Sequence, residues 1–64
     1  MQKAMVGSYV YIAEMLRENA EHEYQLAREF FEEGVMHEAS YWQRKAAITS
    51  AAQRTVMRHI LMEI

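Results

Sequence analysis

Three pairs of residues in this chain could do chemistry by type and spacing. Glu18 and His22, Glu33 and His37, and His59 and Glu63 each stand four apart. On a helix, a four-residue step puts both side chains on one face. A carboxylate beside an imidazole can bind a metal, but a stable site needs three or four converging ligands, and each pair brings two. Di-iron bundles use a three-residue Glu-x-x-His step; no histidine here has a glutamate three positions before it. The pairs therefore read as solvated helix faces, and no metal or other cofactor is expected. Ser8, Ser40 and Ser50 stand in no catalytic motif, and there is no glycine-rich phosphate loop. No enzyme is expected.

The aromatic and sulfur-bearing residues suit recognition better than catalysis. Tyr41-Trp42 with Met36, Met57 and Met62 could line an adaptable groove for a partner. The competing use is core, and so short a chain has few other sources of buried area. Trp42 is assigned to core, while Tyr41, Met57, Leu61 and Met62 are the candidate partner-binding residues. Arg44, Lys45, Arg54 and Arg58 form no groove-reading array and read as a solvated basic face. With a net charge of −2, nucleic acid is not an expected partner.

These residues must be positioned by a reversal at Gly34. It is the only glycine after position 7, and the chain has no proline. Glycine just past a helix end takes the left-handed conformation at little steric cost. Helical periodicity runs into it over about residues 13–33, with Ile12, Leu16, Ala20, Tyr24, Ala27 and Phe31 at three- and four-residue steps. It resumes over about 36–62, where Ala39, Trp42, Ala46 and Thr49 form one line. Ile48, Ala52, Val56, Ile60 and Ile64 form another. The alanines of the second helix allow close approach of a neighbour.

Ahead of the hairpin, residues 1–5 read as a loose terminus, and 6–12 are predicted to be a short strand. Tyr9-Val10-Tyr11-Ile12 is β-branched and aromatic, behind a helix-weakening Gly7-Ser8 pair. Alternation puts Val6, Val10 and Ile12 on one face and the tyrosines on the other. The first turns of a longer helix are the alternative. A lone strand needs a partner, and the same strand of a second copy would give an antiparallel two-stranded ribbon across a twofold axis.

A chain of 64 residues is one domain and buries only about 60% of its extended surface. It has no cysteine for disulfides, which suits a reducing cytoplasm, and its composition is 52% hydrophobic. Oligomerisation is the remaining staple. A second helix of about 40 Å would also overhang a first of about 30 Å, leaving its last apolar residues for a second chain. The expected fold is mainly α: strand, helix, turn and helix in an intertwined homodimer. Its dimer core is Val10, Ile12, Leu16, Phe30, Phe31, Trp42, Ile48, Val56 and Ile60. Charge supports antiparallel packing, since residues 12–33 carry seven acids against two arginines and 35–64 carry four bases against two acids. No stretch approaches the roughly 20 apolar residues of a membrane span, and the apolar run from Ala4 to Ala13 lacks the length and cleavage site of a signal peptide. No membrane partner is expected.

Three resemblances follow. The order strand, helix, helix is that of dimeric ribbon-helix-helix DNA-binding proteins, which implies an alternative function as a DNA-binding regulator. Only Lys3 would serve that ribbon as a contact, and the first helix is too long for the family. Leu26-Ala27, Phe30, Gly34, Ala39 and Ala46 resemble one tetratricopeptide repeat over residues 23–50, with Ala51 where the closing proline stands. The opening Met1-Gln2-Lys3-Ala4-Met5-Val6-Gly7-Ser8-Tyr9-Val10-Tyr11 and the hairpin after it resemble small early proteins encoded between the exonuclease and excisionase genes of lambdoid temperate phages. That resemblance implies a non-enzymatic accessory protein in the bacterial host's cytoplasm. It would favour lytic development over lysogeny by binding a host or phage protein.

Overall fold

A computed structural model describes the backbone of residues 3–63 and the side chains of residues 7–62. Two helices make the whole of it: α1 (Lys3–Glu32) and α2 (Met36–Glu63), antiparallel and joined by a tight turn. The turn is built as the lone glycine requires. Gly34 adopts φ 80°, its N–H donates to the Phe31 carbonyl at 3.0 Å, and the Val35 N–H donates to the Phe30 carbonyl at 2.9 Å. This crossed pair of bonds is the Schellman closure, which satisfies carbonyls that the helix end would leave open. Val35 then starts α2, its carbonyl accepting the Ala39 N–H at 3.0 Å. Glu38 lies in the first turn, where a negative charge offsets the helix dipole.

The expected strand over 6–12 is corrected: this stretch is helical, and α1 runs without a break from Lys3. The preference of Tyr9-Val10-Tyr11-Ile12 for strand is weak beside tertiary packing, and a helix here gives the end of α2 a neighbour. Tyr9 stacks on His59, with ring centroids 6.2 Å apart and planes at 14°. With no strand among the described residues, the two-stranded ribbon goes too, and with it the basis for the ribbon-helix-helix comparison. The expected overhang of α2 is corrected for the same reason, because α1 has 30 residues against 28. Residues 3–5 of the supposed loose terminus are helical; Met1, Gln2 and Ile64 lie outside the described residues, as does the side chain of Val6.

The seam follows a seven-residue repeat. Ala13, Ala20 and Ala27 are buried on α1, and Ala39, Ala46 and Ile60 on α2, with half-buried Gln53 in the same register. A sustained repeat of seven keeps one stripe of each helix facing the other in a left-handed supercoil, and alanine in that stripe lets the backbones come close. The second row of the repeat is larger: Tyr9, Leu16 and Phe30 on α1, Trp42, Thr49 and Val56 on α2, all half-buried, with buried Glu23 among them. No large side chain in the described part is fully buried. The molecule is a rod of 48 × 14 × 10 Å. Its radius of gyration is 14.6 Å, against about 11 Å for a compact domain of this length.

Candidate functional site

The seven-residue repeat divides the hairpin surface into two flanks beside the seam. One flank carries Val10, Arg17, Tyr24 and Phe31, seven apart on α1, with Met36, Gln43, Ser50 and Met57, seven apart on α2. Two clefts open on it. One of about 390 Å³ near the turn is lined by Tyr24, Ala27, Arg28, Phe31, Ala39 and Gln43. The other, of about 310 Å³ near the open end, is lined by Val10, Ala13, Glu14, Arg17, Gln53, Met57 and Ile60. The opposite flank carries Ile12, Asn19 and Leu26 of α1 with Lys45, Ala52 and His59 of α2, and the half-buried row of Leu16, Phe30, Trp42 and Val56 leans toward it. A third hollow lies on the outward side of α2, lined by Tyr41, Arg44, Lys45 and Ile48.

The residues expected to form a dimer core are therefore spread over more than one surface. Leu16, Phe30, Trp42 and Val56 come together along one edge of the seam with Ile12 beside them, and Ile60 is buried within it. Val10 and Phe31 lie on the other flank, and Ile48, 71% exposed, faces outward from α2. Of the candidate partner-binding residues, Met57 lines the open-end cleft, Tyr41 shares the outer hollow with Ile48, and Leu61 and Met62 stand well exposed near the end of α2. Tyr41 packs edge-on against Trp42, centroids 5.2 Å apart at 84°, which ties the outer hollow to the seam.

The histidine pairs are not brought into a site. Glu18 and His22 are both exposed on α1, and Glu33 lies in the turn, off the helix that carries His37. His59 is engaged by Tyr9, and the side chain of Glu63 lies outside the described residues. Among the described residues, no three histidine or acidic side chains converge where a metal could sit. No described helix is long and apolar enough to cross a membrane.

No protein-family model matches this chain, and no curated protein or solved structure does either.

The residue that sequence reasoning passed over is Glu23. It holds a seam position and is 8% exposed, yet it is an acid. Its Oε2 lies 3.7 Å from the Lys45 Nζ, while its buried Oε1 accepts no hydrogen bond from the described residues. An unmet buried acceptor costs about 1–3 kcal/mol, more for a charged group. The signal was in the spacing: Leu16, Glu23 and Phe30 stand seven apart, so the acid falls in an otherwise mostly apolar row. By contrast, the exposed pairs Arg17–Glu21 (3.5 Å) and Gln25–Glu29 (3.3 Å) link neighbouring turns of α1 and contribute little.

Proposed function

We propose that this chain is a non-enzymatic interaction protein: a helical hairpin that pairs with a second copy and binds another protein through apolar helical surface. One observation carries the reading. Thirteen large apolar side chains, from Val10 to Met62, are exposed on the described hairpin. Scattered exposed apolar residues are ordinary; lines of them along a two-helix rod are interaction surface. The area agrees. The hairpin exposes 4979 Å², against about 4,300 Å² for a compact monomer of its mass. The surplus approaches the roughly 800 Å² that each partner buries in a standard interface. Pairing two hairpins into a four-helix bundle is the simplest arrangement that covers it.

The resemblance of the opening residues to lambdoid phage early proteins supplies the setting. The partner is then a host or phage protein, the place is the bacterial cytoplasm, and the outcome is lytic development. Sedimentation equilibrium across a wide concentration range tests the pairing. A dimer is expected, and a folded monomer at every concentration overturns it. The setting is tested by supplying the chain during phage infection: fewer lysogens are expected, and an unchanged frequency removes the setting while leaving the dimer.

A further inference from the structure

We infer that the second copy docks on the flank of Leu16, Leu26, Phe30 and Trp42, with both turns at the same end of the bundle, so that Glu23 of each chain meets Lys45 of the other. This rests on the dimer proposed above and goes on to say which face closes and in what orientation.

The flanks differ in what they leave uncovered. The alanines of the seam are buried, as is Ile60, whereas the row of Tyr9, Leu16, Phe30, Trp42, Thr49 and Val56 is half-buried on one side, with only Glu23 of that row buried. A two-helix seam cannot cover that row, and two further helices can. The opposite flank is discontinuous: its clefts sit toward the two ends of the rod, the open-end one lined in part by polar Arg17 and Gln53, with Ser50 between the two. Separate clefts suit the anchors of another protein better than a second rod of the same length.

Glu23 selects among ways of closing the face. Its carboxylate is buried beside Lys45, and Oε1 has no donor among the described residues. The Lys45 side chain is 47% exposed, so its ammonium, with three N–H groups, can serve more than one acceptor. Glu23 and Lys45 are equidistant from Gly34 along the chain, and so are Tyr9 and His59, which sets the register of the hairpin. With the twofold axis along the bundle, α1 of one copy lies beside α2 of the other in that same register. The two contacts are then equivalent, as a symmetric interface requires, and each orphan oxygen gains a lysine from the second chain. Charge favours the same choice. Residues 12–33 carry five more acids than bases and 35–64 two more bases than acids, so each α1 is flanked by two α2 helices. Reversing one hairpin sets α1 beside α1, or the two unlike helices parallel.

Charge exchange tests this directly. Glu23→Lys and Lys45→Glu each create like charges within a chain and, in this arrangement, between chains. Mixed together, the two variants keep the repulsion within each chain but gain two attractive contacts between chains. Each variant alone is expected to dimerise at least about tenfold more weakly than the parent, and the mixture to form a heterodimer in preference to either homodimer. Sedimentation velocity with one variant dye-labelled, alongside helicity by circular dichroism, reads both. A mixture no more associated than its components overturns the inference. A second comparison stands even if those variants do not fold. Leu26→Ala is expected to weaken the dimer about tenfold and Met57→Ala less than about twofold, and the reverse order assigns the dimer to the other flank. If the parent chain is a monomer, the dimer itself fails, which is a different result from a dimer indifferent to these changes.

Discussion

Glu23 costs the isolated hairpin stability, and the cost depends on what stands beside it. Lys45 is its ion-pair partner among the described residues, at 3.7 Å and half in solvent, so the pair itself is worth little. Removing the lysine is worse than removing both, since it leaves a buried carboxylate with no positive charge nearby. Lys45→Met is therefore expected to destabilise the chain by about 1–3 kcal/mol, and Glu23→Leu to be neutral or stabilising. Urea denaturation of both variants at equal concentration checks the order, which a purely structural role for Glu23 would reverse. The two glycines make a second contrast. A Cβ added at either meets nothing within 4 Å, so only the backbone decides. At Gly34, with φ 80°, alanine is expected to cost about 1–2 kcal/mol because the left-handed conformation crowds any Cβ.

Inside α1 the same substitution has the opposite sign. Gly7 is within the helix, so Gly7→Ala is expected to add about 0.5–1 kcal/mol and raise the helical circular dichroism signal. If residues 6–12 were a strand, no gain in helicity would follow. That stretch shows where the sequence could be read and where it could not. The reversal was legible because one glycine stands alone between two periodic runs, and the bonds at Phe30, Phe31 and Val35 follow from it. The line Ala39, Trp42, Ala46, Thr49 was legible for the same reason: it is the face of α2 turned to the seam. Tyr9 to Ile12 misled because local preference was the only signal available there, while the helix depends on a neighbour fifty residues away in α2. On α1, Ile12, Tyr24 and Phe31 drew the apolar face too wide. In this seam the small residues are inside: Ala20 and Ala27 stand on the expected line, and Ala13, seven before Ala20, completes their row.

At the scale of the whole molecule, the question is how much of its stability depends on a second chain. Trp42 answers it, being the only tryptophan and half-buried in the hairpin. Truncating a fully buried tryptophan costs about 3–5 kcal/mol, so in a lone hairpin Trp42→Ala is expected to cost roughly half of that. In the dimer the same side chain loses its remaining exposure, and the cost rises toward the full value. Because pairing stabilises by mass action, the parent chain is expected to resist denaturant better as its concentration rises. The variant's resistance should change less, since it has lost a central contact of the pairing face. The emission of Trp42 gives an independent reading, shifting to shorter wavelength as the dimer forms and the indole leaves water. Melting curves that superimpose over a thousandfold range of concentration, with emission unchanged, would mean that the row of Leu16, Phe30, Trp42 and Val56 stays open to solvent. The rod would then be a monomer whose whole length is available to another protein.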